Sequence, residues 1–215
     1  MKKILISIVV FALAINVFSQ QDPVAEGVLD KFNLKTKNLS AISADIILII
    51  DNQQEQNFTQ HPGTFKLKGE KYVIFINDSE IYCDGKSRWV YMPDVEEVTV
   101  SEIDESDDQL MNNPFLILKS YKEKFKYELI NELIEDNEVY YIIELHPFDL
   151  DQAYHTISLR ISKNELMLKS ARYLGKDGIH YLIELNNINT GQLNDSDFIF
   201  NIEKHPEAEI IDLRD

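Results

Sequence analysis

The side chains best able to do chemistry stand apart from one another in this chain. His61, His146, His155, His180 and His205 are its five histidines. They show no paired spacing, so a zinc site would have to be assembled entirely by the fold. Cys83 is the single cysteine. No intramolecular disulfide can form, and no base can be read beside the thiol to make it a nucleophile, so a buried, inert thiol is expected. There is no Gly-x-Ser-x-Gly elbow, no phosphate-binding loop and no Gly-x-Gly-x-x-Gly, which removes the hydrolase, nucleotide and dinucleotide chemistries that a sequence can display. Asp104 to Asp108 lacks the Gly and terminal Glu of a helix-loop-helix calcium loop and reads as a solvated acidic loop. With 37 acidic residues, carboxylate pairs at the ~5–9 Å separations of glycosidases arise by chance. Catalytic residues, a metal and a cofactor are therefore not expected.

Apolar side chains carry a stronger pattern. Asp84-Gly85 stands directly before Trp89, the only tryptophan, and Tyr91. Asp-Gly between apolar stretches predicts a hairpin with a type I′ turn, and side-chain period two puts Trp89 and Tyr91 on one face of the strand that follows. Phe65, Leu67, Tyr72 and Phe75 precede this hairpin, and Phe115, Leu116, Ile117 and Leu118 form an apolar block further on. Such a set builds either an ordinary core or the lining of a ligand cavity.

The elements that must position these residues alternate between two periods. Asp22-Pro23 offers an N-cap and a proline for a first turn, and Val24, Val28 and Phe32 recur every fourth residue with Ala25 and Leu29 beside them, predicting an amphipathic helix. Strands are predicted over 43–50, around Phe65 and Leu67, over 72–76 and 81–83, at Trp89 and Tyr91, and over 98–100. The segment 109–125 is expected to be helical, with Pro114 in its first turn. Strands resume over 127–134, 139–145, 156–161, 166–174 and 180–188. Connections this short exclude a βαβ arrangement. The expected architecture is α+β: one curved, mostly antiparallel sheet, closed or part-closed, with the helices as covers for its concave face.

The chain begins Met1-Lys2-Lys3 and runs apolar to Phe18, the form of a secretory signal. Cleavage after Ser19 is expected, leaving residues 20–215 as one domain. No cysteine stands at that junction to carry a lipid. The formal net charge is −16, and loss of Lys2 and Lys3 makes it more negative. Such a balance argues against nucleic acid and anionic membrane surfaces as partners, and it keeps a carrier of apolar ligands soluble.

From about Val24 to Arg214 the chain resembles the LolA family of periplasmic outer-membrane lipoprotein carriers, in the form found in Bacteroidetes-type bacteria. The resemblance rests on Gly63-Thr-Phe-Lys-Leu67, on Ser79–Thr99 with Asp84-Gly85-Lys86 and Trp89-x-Tyr91-x-Pro93, on Asn113-Pro114-Phe115, and on Asp197-Phe198-Ile199-Phe200 with Ile210-Ile211-Asp212-Leu213-Arg214. It implies an incomplete antiparallel β-barrel covered by helices, whose apolar interior takes the acyl chains of lipoproteins. It further implies a monomeric carrier without catalytic activity, loaded by an ATP-driven (ABC-type) inner-membrane complex and unloaded at an outer-membrane acceptor. On this reading the lipid contacts are Phe65, Leu67, Tyr72, Phe75, Trp89, Tyr91, Phe115, Leu116 and Leu118. One position departs from the family. Where an arginine helps to hold the lid, this chain has Gly69, with Lys68 and Lys71 as possible substitutes, although an ammonium does not reproduce a guanidinium fork. A periplasmic sensor or lipid shuttle built on the same open barrel is the alternative.

Overall fold

The computed structural model describes residues 21–103 and 117–214. Helix α1 (Pro23–Lys37) leads into strands β1 (Ile42–Asn52), β2 (Asn57–Lys68), β3 (Lys71–Ile76), β4 (Ser79–Cys83), β5 (Ser87–Met92) and β6 (Glu97–Glu102). Helix α2 (Ile117–Lys124) is followed by β7 (Phe125–Glu135), β8 (Glu138–Pro147), β9 (Tyr154–Ser162), β10 (Leu168–Gly175) and β11 (Ile179–Asn189). Two short 3₁₀ turns, Asp195–Phe198 and Ile202–Lys204, precede β12 (Glu209–Asp212). All the strands join one sheet in the order β12-β6-β5-β4-β3-β2-β1-β11-β10-β9-β8-β7. Every neighbouring pair is antiparallel except β12 beside β6. The sheet curves without closing, so the expected α+β architecture with a single open, mostly antiparallel sheet is what the chain forms.

Helix α1 starts as its residues dictate. The Asp22 carboxylate accepts from Val24 and Ala25 N–H, Pro23 fills the first turn, and Ala25, Val28, Leu29 and Phe32 are buried. Val24, included in the same stripe, is 56% exposed. In the second predicted helix the described part begins at Ile117, and Phe125 opens β7 instead of closing the helix.

Two connections have both central residues at positive φ, the type I′ condition. They are Asn77-Asp78 (51° and 62°) between the paired Ile76 and Ser79, and Asp136-Asn137 (50° and 65°) between Glu135 and Glu138. The Asp84-Gly85 turn takes another form. Only Gly85 has positive φ (94°), and the Asp84 carboxylate accepts from the N–H groups of Lys86 and Ser87, both at 2.8 Å. The aspartate side chain thus organises a longer turn by capping its own backbone.

The sheet has two apolar faces. The inner face carries α1 and the main core, which runs through Ile42, Phe65, Tyr72, Ile143, Leu145, Ile157 and Tyr173. The outer face of β3 to β5 carries a smaller cluster of Val73, Phe75, Tyr82 and Trp89. Leu193, Phe198 and Phe200, from the chain after β11, pack over it. That C-terminal cover was not foreseen from the sequence, because the apolar residues of 193–200 follow neither strand nor helix period.

Candidate functional site

The inner face holds a hollow of about 320 Å³. Its wall comes from Ile46 and Leu48 of β1, Phe65 of β2, Ile74 and Ile76 of β3, Ile81 of β4, and Tyr181, Ile183 and Leu185 of β11, with Asn77 and Ser79 the polar contributors. These strands are neighbours in the sheet, and alternate residues of each point to the same side. Ile46, for example, is paired with Leu185 on one flank and with Gly63 on the other. Gly63 lies between Ile46 and Ile76 in the register. A Cβ built on it would stand 2.1 Å from the Phe75 carbonyl oxygen, so the close approach of β2 to β3 here requires glycine.

The wall is almost wholly hydrocarbon. Beside the polar contributors, His61 Nδ1 lies 2.5 Å from Asn77 Nδ2, and its Nε2 lies 2.9 Å from Thr59 Oγ1. Among the described residues no helix side chain lines the hollow. The helices are tied together elsewhere. Tyr121 of α2 donates a 2.6 Å hydrogen bond to Asp30 of α1, and Lys122 pairs with Asp30 at 2.9 Å and Glu26 at 2.8 Å. Burial and the bond to Asp30 push the Tyr121 phenol up, and the bonds from Tyr121 and Lys122 hold the Asp30 carboxyl below its ordinary value.

Strand parity sorts the residues singled out in the sequence. Phe65 lines the hollow. Leu67 and Tyr72 share its face but belong to the packed core. The register Tyr72↔Cys83↔Arg88 and Ile74↔Ile81↔Val90 puts these residues inward. Phe75, Trp89 and Tyr91 therefore face outward, which corrects their assignment to a cavity. Trp89 and Phe75 join the outer cluster, and the Tyr91 ring lies against His205 with centroids 3.9 Å apart. Period two tells which residues share a face, and only packing tells which face is covered by what. Phe115 and Leu116 lie outside the described residues, as does the side chain of Leu118. The isoleucine-rich wall from β1, β3 and β11 comes from continuous apolar runs, Ile46–Ile50, Tyr72–Ile76 and Tyr181–Ile183, in which no polar alternation marks the residues that face inward.

Two further expectations meet the geometry. Cys83 is fully buried, and desolvation pushes its thiol up, the condition of an inert cysteine. Gly69 stands at φ 61° in the β2–β3 turn, a backbone conformation that favours glycine. Lys68 and Lys71 are engaged with the C-terminal segment. Both pair with Asp195, at 2.9 and 3.3 Å, and Lys68 also donates to the Leu193 carbonyl at 2.9 Å, so they tie the C-terminal segment to the outer side.

A curved open sheet with a hydrocarbon hollow on its inner face defines a class of binding proteins for apolar ligands. Within that class, residues 52–201 match the family model described as outer membrane lipoprotein carrier protein LolA, and the chain belongs to this family. An outer-membrane lipoprotein carrier protein of Histophilus somni is 29% identical over 177 residues, covering 80% of this chain and 82% of that one. Its counterpart in Francisella tularensis is 27% identical over 218 residues, covering 99% and 98%. Among solved structures, an uncharacterized conserved protein from Thermus thermophilus aligns with a TM-score of 0.60 at 9% identity over 89% of this chain and 99% of its own, a likeness of fold alone.

Proposed function

We propose that this protein is a periplasmic carrier that holds the acyl chains of lipoproteins in the inner-face hollow and takes them from the inner to the outer membrane, with no catalytic step. The observation that supports the reading best is the hydrocarbon wall of the hollow, built from five neighbouring strands, in a chain of the lipoprotein-carrier family.

Burial of an acyl chain is worth ~0.8 kcal/mol per methylene, so an exposed chain inserts into a bilayer or aggregates. A wall without charges can hold it, and the formal charge of −16 keeps the loaded carrier in water. Because the hollow is lined by strands, a chain entering it need not displace the α1–α2 ties. Release then needs a partner that offers the acyl chain a lower free energy than the hollow does. The partners proposed are an ABC-type complex in the inner membrane for loading and an acceptor at the outer membrane for unloading. The signal segment 1–19 would be removed on export.

Purification from the periplasm followed by mass spectrometry of the bound material tests this directly. Triacylated or diacylated lipoproteins, lost in an Ile183→Glu variant that stays folded, are expected. Free lipids in their place would point to a sensor or shuttle on the same fold, and a carrier that never acquires acylated cargo would overturn the reading.

A further inference from the structure

The outer face of β7, β8 and β9 holds a cluster that acyl binding does not use. Glu128 and Glu144 are directly opposite one another in the β7–β8 register, and His146 follows two residues after Glu144 on the same face. His146 Nε2 stands 3.2 Å from a Glu128 carboxylate oxygen and 3.6 Å from one of Glu144. Donor atoms of all three lie within 4.8 Å of one another. On its other side, His146 Nδ1 lies 3.2 Å from the hydroxyl of Thr156, which is 5% exposed and also lies 2.9 Å from His155 Nδ1.

Two carboxylates set directly opposite in an antiparallel pair repel each other. Lys126 takes the register position opposite His146, yet among the described residues it makes no ion pair with either glutamate. An imidazolium brings one positive charge to two negative ones, whereas a divalent cation matches them. The donor set points to the cation: an imidazole nitrogen beside carboxylates suits zinc, whereas magnesium takes oxygen ligands. Tetrahedral zinc bonds of ~2.0–2.2 Å put neighbouring ligand atoms ~3.3–3.6 Å apart, and the two His146–glutamate separations, 3.2 and 3.6 Å, lie near that edge. The Thr156 hydroxyl completes the arrangement: with Nε2 on the ion, the proton stands on Nδ1 and is donated to that hydroxyl 3.2 Å away, the outer-shell support that zinc-binding histidines use.

We propose that Glu128, Glu144 and His146 form a zinc site, with water as the remaining ligand, that clips the edge strand β7 to β8. The three side chains are partly exposed, so the ion can enter from solvent.

The test is calorimetric titration of zinc chloride into the full secreted chain after treatment with a chelator. One zinc per chain, not displaced by magnesium and accompanied by a rise in Tm, is expected. Loss of an outer-shell partner alone typically weakens binding ~10–100-fold, so His146→Asn and Glu144→Gln should each weaken it at least ~10-fold. Absence of saturable uptake, or equal uptake in both variants, overturns the site. X-ray absorption of the zinc-loaded wild-type chain decides independently of variant folding: a tetrahedral shell with one nitrogen supports the proposal, and an all-oxygen octahedral shell overturns it.

Discussion

The backbone N–H of Leu129 donates a 2.8 Å hydrogen bond to Oδ2 of Asp22, while the other oxygen of that carboxylate caps α1 through Val24 N–H at 2.8 Å. One side chain thus starts the helix and satisfies an edge-strand donor more than a hundred residues away. Gln21 continues the pattern, its amide oxygen accepting from Tyr127 N–H and its amide nitrogen donating to the Phe125 carbonyl, both at 3.1 Å. Edge strands expose unpaired backbone groups that invite association, and the first half of β7 is blunted here by two side chains.

Asp22→Ala should cost about 1 kcal/mol, within the ~0.5–2 kcal/mol range of cap removal. Its carboxyl is held below the ordinary value, chiefly by the Leu129 N–H. A depressed folded value means that the contribution is complete above the unfolded carboxylate value of ~3.9 and is lost as pH falls through the folded one. Urea melts of wild type and variant should therefore differ more at pH 7 than at about pH 3. A gap that does not depend on pH would show that ionised Asp22 is not its source.

Cavity and outer-face residues should separate in a loading assay. Ile76→Glu puts a carboxylate into the hydrocarbon wall and is expected to abolish acyl loading with a small change in Tm, because Ile76 is only half-buried. Trp89→Ala should lower stability by about 2 kcal/mol, less than full burial would give, and leave loading per folded molecule unchanged. Lost loading in Trp89→Ala would return that residue to the cavity.

Gly63→Ala forces a methyl against the Phe75 carbonyl and the Ile76 side chain. Neither β2 nor β3 can yield without breaking their shared ladder. A loss of about 1–3 kcal/mol in chemical denaturation is expected, the usual cost of overpacking.

Phe198, in the C-terminal segment, is fully buried against Val73 and Tyr82 of the outer cluster, next to the edge-to-face rings of Tyr82 and Phe200 at 5.5 Å. Phe198→Ala should cost ~3–5 kcal/mol. Amide exchange should accelerate first over 193–212, including the β12–β6 ladder, while β1 and β11 remain protected. Uniform acceleration would mean that the segment unfolds only with the whole sheet.

Most elements could be read from the chain because each reports itself locally. Asp22-Pro23 and the four-residue recurrence of Val28 and Phe32 mark α1, and the alternation of Ile157, Leu159 and Ile161 against Ser158 and Arg160 marks β9. Phe65, expected on a half-buried strand, lines the hollow. Phe75, Trp89 and Tyr91 were misplaced because large aromatics suit a core as well as a cavity, and local pattern does not separate the two.

Taken alone, then, the amino-acid sequence determined the order and type of nearly all the strands, the single antiparallel sheet, the family, and which residues of each strand travel together. The tertiary structure decided which side each set faces. Before folding, the two faces of β3 to β5 are equally apolar, with Tyr72 and Ile74 on one and Val73 and Phe75 on the other. They become different only when α1 packs on the inner side and Leu193, Phe198 and Phe200 cover the outer one. The same holds for Glu128, Glu144 and His146, whose spacing in the chain suggests nothing. They meet because the β7–β8 register brings residues from two strands to one point on a surface.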